Sequence, residues 1–302
     1  MKKITIIFLS VSCLIILVSS IAFSMNNRDV SDFFFRFGLI ERELKESISR
    51  NDAVPFIETS DFSISEVETN TIEEQFKLTG VDNGRKHAID LLLRREILYC
   101  EALKQGFSVD HKELTDVINA NKEIMRAALN YESDILQYFS GLGMAEEEYW
   151  ESRYDVFKKE MTISKLTSAQ RESIREMLYI EALSNGFTAS HEEIEDLINF
   201  NIEGIRSSPI AGIFMRDLTS LGMTLEEYWE AQYDDLKHEI AISKHLAAQG
   251  ISLSDSPQYE SISNKNAFLV QEAIESRLES YIQELIDDYI EANDLLWVFN
   301  KS

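Results

Sequence analysis

The stretch LYCEALKQGF, residues 98–107, returns 80 positions later as LYIEALSNGF, residues 178–187. The similarity extends well beyond these ten residues. Between residues 95–126 and 175–206, 17 of 32 positions are identical, and between residues 142–165 and 221–244, 15 of 24 positions match. The middle of the chain is therefore a duplicated unit. An internal repeat of this length is stronger evidence for the fold than any single motif.

Each copy reads as three helices. The first is expected to end at Gly106 or Gly186, in the left-handed conformation that closes many helices. The second begins at a capping residue, Asp110 or Ser190, with a glutamate three positions later. The apolar face of the first helix is predicted to contain Ile97, Leu98, Ala102 and Leu103, repeated as Met177, Leu178, Ala182 and Leu183.

The third helix presents an apolar face at the spacing i, i+4, i+7 and i+11, which is typical of one side of a helix. In the first copy this face is Trp150, Tyr154, Phe157 and Met161. No Gly or Pro occurs from residue 145 to residue 185, so this helix is expected to run into the first helix of the second copy. Thr167-Ser168 is the expected interruption. The predicted class is all-α, with two tandem three-helix units and flanking amphipathic helices.

Composition supports a folded helical protein and excludes some partners. Hydrophobic residues make up 44% of the 302 residues, while the chain has only 11 Gly and 3 Pro, which disfavours a turn-rich β fold. The net charge of −24 repels phosphates, so neither nucleic acid nor an anionic lipid surface is an expected ligand. The charge serves solubility, or it attracts basic segments of a client protein.

The N-terminal sequence indicates a targeting segment. Lys2 and Lys3 precede residues 4–23, which carry no charge and are long enough to span a bilayer. Ala22-Phe23-Ser24 is also an acceptable cleavage site, so a cleaved signal stays open beside an uncleaved anchor. Lipid modification of Cys13 is a weaker alternative. Each alternative exports the bulk of the chain, either anchored to the cell membrane by a single pass or secreted.

The flanking segments are expected to add helices. Residues 30–48 have the spacing of an amphipathic helix, and residues 56–64 suggest a short extended piece. Ser63 with Glu66 predicts a capping box that opens a helix through Leu78. Residues 267–293 predict a final amphipathic helix. The expected domains are 1–24 for the anchor or signal, 25–84, repeat 1 at 85–167, repeat 2 at 168–250, and 251–302.

No catalytic motif is visible. The chain has no Gly-x-Ser-x-Gly, no glycine-rich phosphate loop and no Cys-x-x-Cys, so neither an enzyme nor a cofactor or metal site is predicted. His111 and His191 are repeated, but each falls in the first turn of a helix and is expected at the surface. Cys100 is expected to be a packed residue. Glu101 and Glu181 lie next to apolar positions and are expected to pair with an Arg or Lys.

The repeated aromatic residues are the candidate client-binding set, and whether they form core or a stacking platform stays open. They are Tyr99, Tyr149, Trp150, Tyr179, Tyr228 and Trp229, beside the repeated structural residues Glu101, Gly106, Glu181 and Gly186.

The order of these motifs resembles the N-terminal chaperone module of the SurA/PrsA-type extracytoplasmic foldases, which is related to the substrate-binding helices of trigger factor. The resemblance rests on residues 101–110 with 142–149, and on 181–190 with 221–228. Residues 56–68 are similar to the strand and turn that open that module. The resemblance implies an exported helical protein that holds unfolded or partly folded clients in apolar grooves. The chain has no Gly-Gly dipeptide and no length left for a parvulin domain, so isomerase activity is not implied.

Two functions follow as expectations. The first is a chaperone-like protein that binds exported clients through its helical repeats. The alternative is a cell-surface scaffold that uses the same helices to bind one dedicated partner. Self-association into a homo-oligomer stays open under both.

Overall fold

The structure is a computed structural model that describes residues 34–43, 46, 54–128, 131–208, 211–251 and 265–300. These residues are mostly helical, which confirms the all-α prediction. The predicted anchor or signal at 1–24 and the predicted linker at 252–264 lie outside the described residues. Within the described ranges, no helix has an apolar stretch long enough to cross a bilayer.

The first elements are a helix and a small hairpin. Helix α1 covers residues 34–43, and strands β1 (Pro55–Glu58) and β2 (Ser63–Ser65) pair antiparallel. Helix α2 (Glu66–Leu78) then begins at Ser65, whose hydroxyl accepts a hydrogen bond from the backbone N–H of Glu68 at 3.1 Å. The predicted Ser63–Glu66 capping box was therefore wrong by two residues, because Ser63 pairs with Glu58 in the hairpin and the helix begins only after Ser65.

Helices of the first copy follow in chain order. They are α3 (Gly84–Lys104), α4 (His111–Arg126), a π-helical turn (Tyr131–Ile135), α5 (Leu136–Leu142), α6 (Glu146–Ser152) and α7 (Tyr154–Ser184). The interruption expected at Thr167-Ser168 was wrong, since α7 runs through both residues. The Thr167 hydroxyl donates to the Ser164 carbonyl at 3.2 Å, a local bond that a helix tolerates. The break falls at Arg153 instead, so Trp150 and Tyr154 belong to different helices.

The second copy and the C-terminal segment are also helical. Their elements are α8 (His191–Ser207), α9 (Ala211–Ser220), α10 (Leu225–Glu230), α11 (Tyr233–Ala248), α12 (Lys265–Ala292) and α13 (Trp297–Asn300). As in the first copy, the predicted third helix is divided into two, here α10 and α11.

The helix ends confirm the local predictions. Gly106 and Gly186 have φ angles of +82° and +81°, and the N–H of the residue after each glycine reaches back to the carbonyl of Ala102 or Ala182 at 2.9 Å. This is the double hydrogen-bond pattern that closes a helix on a left-handed glycine. A side chain at either glycine would strain the backbone, so both residues hold the turn into the second helix.

Contacts divide the chain into two compact units. The first contains residues up to Ser168 together with Ile282–Ser302, and the second contains Ala169–Tyr281. In the first unit, α4 to α7 surround a core of large side chains. Its buried members are Val109, Leu114, Ile118, Ile135, Phe139, Leu142, Tyr149, Trp150, Phe157 and Met161.

Helix α1 packs against α5 in the first unit through two facing glycines. A Cβ built on Gly38 would lie 2.2 Å from the Tyr138 carbonyl oxygen, and one on Gly141 would lie 2.1 Å from the Phe35 carbonyl oxygen. The backbones therefore touch, which only glycine permits. Glu41 of α1 is buried and accepts a hydrogen bond from the Tyr138 hydroxyl at 2.5 Å.

The hairpin of the first unit is held by the end of α12. The Tyr289 hydroxyl donates to the Asp61 carboxylate at 3.0 Å and lies 3.1 Å from the Thr59 hydroxyl, and its ring stacks on Phe62 at 5.5 Å. Burial raises the pKa of Tyr289 to about 12, and the nearby Asp61 carboxylate acts in the same direction. The C-terminal segment is thus part of the fold of the first unit.

The second unit has two smaller buried clusters among its described residues. One contains Ile194, Leu236 and Ile240, and the other contains Ile202, Leu218 and Leu225. Helix α12 is joined to α7 within this unit by two ion pairs. Arg277 bonds both carboxylate oxygens of Glu181, at 3.0 and 2.9 Å, and Arg171 bonds Glu275 at 2.8 Å.

Candidate functional site

The structure places the six candidate aromatic residues in three different surroundings. Tyr149 and Trp150 are buried in the core of the first unit, where their rings meet edge to face at 5.4 Å and Trp150 stacks on Phe157 at 5.6 Å. In this structure these two residues pack the core, one of the two roles that the sequence left open.

Their counterparts in the second copy are less enclosed. Tyr228 and Trp229 are half-buried, with an edge-to-face contact at 5.2 Å. The Trp150 indole N–H lies 3.4 Å from the Glu146 carboxylate, but position 225 is a leucine, and the Trp229 N–H is buried without a partner among the described residues. The second copy has lost the acceptor that the first copy provides.

Tyr99 and Tyr179 each lie against a basic or imidazole side chain of the third helix. The Lys159 ammonium lies 5.4 Å from the centre of the Tyr99 ring, and the His238 ring stacks on Tyr179 with centroids 3.7 Å apart. Burial raises the pKa of Tyr99, and the carboxylate of Glu96 adds to this shift. Both tyrosines are half-buried. They join the first and third helices of their copies.

The repeated glutamates have diverged. Glu181 has the Arg partner expected from the sequence, since Arg277 holds it with two hydrogen bonds and lowers the pKa of the Glu181 carboxyl. Glu101 accepts a hydrogen bond from Gln105 at 2.7 Å, one turn along the same helix. A cationic partner for Glu101 therefore stays a prediction.

The repeated histidines hold helices together at the surface. The Nδ1 atom of His111 lies 2.6 Å from the Tyr154 hydroxyl, and that of His191 lies 2.9 Å from the Tyr233 hydroxyl. Both rings are exposed. In the part of the chain that the structure describes, no three His, Cys, Asp or Glu side chains gather closely enough to hold a metal ion.

The two copies differ in how much of the first helix is exposed. Met177, Ile180 and Leu183 of α7 are 48%, 54% and 41% exposed, and Glu176 is exposed beside them. Positions three and four apart are neighbours on a helix, so the four side chains form one continuous surface. We call these four residues the uncovered face.

The matching residues of the first copy are mostly buried. Ile97, the counterpart of Met177, is 1% exposed, Glu96 is buried and Cys100 is half-buried; only Leu103 remains exposed. Helices α2 and α13 pack on α3 in this unit. Flanking segments of the chain therefore pack on the first helix of the first copy, whereas the matching face of the second copy is exposed.

A second position shows the same trend. Leu142 is 3% exposed in the first unit, where helix α1 packs on α5, whereas its counterpart Leu221 is 45% exposed in the second unit. The position of Gly141 is occupied by Ser220 in the second copy, which removes the close backbone approach that α1 requires. The second copy does not repeat the surface that receives α1.

These observations correct part of the predicted apolar face. Leu98, Ala102, Leu178 and Ala182 are buried as expected, but Leu103, Met177 and Leu183 are exposed. A signal for this is present in the sequence, since Met177, Ile180 and Leu183 lie at a spacing of three on a different side of the helix from Leu178 and Ala182. Apolar residues beyond the side that packs on the core are candidates for a binding surface.

Such a surface can bind apolar side chains, and it offers one carboxylate to a cation. The comparisons with known proteins add no class to this description, because no family model, no curated protein and no solved structure matches the chain.

Proposed function

We propose that this protein is an exported chaperone-like protein that binds unfolded or partly folded segments of client proteins. The uncovered face of the second unit is the binding surface in this proposal. Residues 4–23 hold the protein in the membrane, or it is secreted if they are cleaved. The proposal assigns no isomerase or other enzymatic activity.

The observation that carries the proposal is the exposure of Met177, Ile180 and Leu183 on one continuous helix. Three large apolar side chains in contact with water are costly to keep unless they bind something. The matching residues of the first copy show that this fold can cover the same face with its own chain. Both copies resemble the SurA/PrsA-type chaperone module, which adds support from the sequence.

The acidic charge fits reversible binding. A chain with a net charge of −24 repels other copies of itself, so an apolar surface on it is less prone to self-aggregation. A protein that holds clients needs this combination of an apolar binding face and a soluble, repelling remainder.

One observation favours the scaffold alternative. The uncovered face lies on a regular helix and has a carboxylate at a fixed position, and fixed complementary groups favour one partner over many. The two functions differ in the range of sequences that bind.

The test is suppression of aggregation by the full chain in lipid nanodiscs, with empty nanodiscs as the blank and several unrelated unfolded proteins as clients. Broad suppression at near-equimolar amounts, lost in Ile180→Glu, is the expected result. The matched control is Leu91→Glu, which changes an exposed leucine of the first copy to the same residue. Suppression of no client contradicts the chaperone function, and capture of a single partner from the set would favour the scaffold.

A further inference from the structure

The uncovered face contains a charge that its partner must accommodate. Glu176 is one helical turn from Ile180 and two turns from Leu183, on the same side of α7. A segment that covers the apolar side chains therefore also covers the carboxylate. Burying a carboxylate without a partner is unfavourable, so such a segment must supply a donor or leave a gap there.

The first copy shows how this fold satisfies the same carboxylate when it is covered. Glu96, the counterpart of Glu176, is 3% exposed, accepts two hydrogen bonds from Arg95 at 2.9 and 2.6 Å, and one from Lys159 at 2.6 Å. Both cations come from the first copy itself. Arg95 also reaches Glu68 of the covering helix α2, at 2.6 Å.

In the second copy neither of the corresponding side chains bonds Glu176. Lys159 is replaced by His238, whose ring stacks on Tyr179. Arg175, the counterpart of Arg95, donates to the backbone carbonyl of Asp235 at 3.0 Å and lies 3.3 Å from its carboxylate. Among the described residues, the Glu176 side chain has no hydrogen bond or ion pair.

From this we infer that the uncovered face selects client segments that carry aliphatic side chains around one Lys or Arg, with the cation placed on Glu176. The inference rests on the proposed function and specifies which segments that function accepts. Acidic segments are rejected twice, by Glu176 at contact and by the net charge of the chain at longer range. Segments that are apolar throughout bind less well, because they bury the carboxylate without a partner.

The test uses three fluorescent peptides of roughly 15 residues that form the same amphipathic helix and differ at one position in the apolar stripe. That position is Lys, Gln or Glu. Binding to the full chain in zwitterionic nanodiscs is measured by fluorescence anisotropy at about 0.15 M salt, where charges beyond roughly 8 Å are screened. We expect the Lys peptide to bind about tenfold more tightly than the Gln peptide, and the Glu peptide to bind most weakly.

The decisive variant is Glu176→Lys, which should reverse the order so that the Glu peptide binds best. Glu176→Gln should bring the three affinities within about threefold of one another. The matched control is Glu203→Lys, which makes the same change in net charge at an exposed position of helix α8. This control should keep the preference for Lys.

Two results would overturn the inference. If the preference for Lys persists in Glu176→Lys, the selectivity comes from the overall charge and not from this face. If no peptide binds the wild-type chain, the face does not take such segments. The aggregation assay on the same preparations distinguishes failure of this inference from failure of the proposed function. If the chain suppresses aggregation but shows no preference for the Lys peptide, the proposed function stands and only this inference is wrong.

Discussion

A single added methyl group between α1 and α5 is predicted to detach α1 from the first unit. In Gly141→Ala, the new Cβ would lie 2.1 Å from the Phe35 carbonyl oxygen and 3.1 Å from the Leu39 nitrogen. An ordinary carbon–oxygen contact is about 3.3 Å or longer, so the helices must separate by about 1 Å. Both contacting atoms belong to the backbone, and neither can rotate away. Overpacking of this kind costs about 1–3 kcal/mol.

Hydrogen exchange measured by mass spectrometry reports this change directly. Helix α1 is too short to be stable without packing, so detachment should melt it. A loss of 1–3 kcal/mol corresponds to roughly 5- to 150-fold faster exchange in residues 34–43. Gly38→Ala should act in the same way, since its Cβ would lie 2.2 Å from the Tyr138 carbonyl oxygen.

The matched control is Gly204→Ala in helix α8. A Cβ there meets no atom within 4 Å, and alanine favours a helix over glycine, so the variant should be stabilised by about 0.5–1 kcal/mol. Unchanged protection of residues 34–43 in Gly141→Ala would refute the close packing of the two helices.

Three further predictions concern charges and hydrogen bonds. Lys159→Met should destabilise the first unit by about 2 kcal/mol, measured by urea unfolding, because it removes a donor from the buried Glu96. The hydrogen bond from Lys244 is the largest of the influences that lower the pKa of Glu193, to about 2. The stability that the ionised Glu193 contributes is therefore complete above pH 4.5 and is lost as the pH falls toward 2. The pair is about 40% exposed and screened by solvent, so Glu193→Gln should remove under about 1 kcal/mol, seen as a shallower acid-unfolding curve. The raised pKa of Tyr289 contributes stability that is complete below pH 10 and is lost as the pH rises toward 12. Tyr289→Phe should remove the step near pH 12 from the tyrosinate absorbance titration.

Each of these predictions has a result that contradicts it. His238→Met, the counterpart change in the second copy, should cost less than Lys159→Met, since His238 neutralises no buried carboxylate; equal costs would refute the role given to Lys159. An acid-unfolding curve of Glu193→Gln that matches the wild type would remove Glu193 from the acid response. A tyrosinate titration that keeps its step near pH 12 in Tyr289→Phe would assign that step to another tyrosine.

Local chemistry was predictable from the sequence. The glycines at 106 and 186 end helices as expected because the left-handed conformation is nearly confined to glycine. Asp110 and Ser190 each accept a hydrogen bond from the backbone N–H three residues further on, as their cap positions predict. These features depend on a few neighbouring residues, and a repeat shows each of them twice.

Features that depend on distant segments were not predictable in the same way. The sequence assigns Ile97 and Met177 to the same apolar face, yet one is buried and the other is exposed. Two helices pack on α3 of the first copy: α2, which precedes it directly, and α13, which comes from the C-terminal segment of the chain. The tertiary structure was therefore needed to establish that Tyr149 is buried and Met177 is exposed. The helices that contain these residues could be predicted from the sequence alone.

Photo-crosslinking from the uncovered face tests directly whether clients bind there. A benzophenone amino acid replaces Ile180 in the full chain, and the same amino acid replaces Lys112, an exposed polar position of the first copy, as the control. After illumination with an unfolded client, we expect crosslinks from position 180 that an excess of unlabelled client competes away, and almost none from position 112. Equal crosslinking from both positions, or none from position 180, would contradict the claim that this face binds clients.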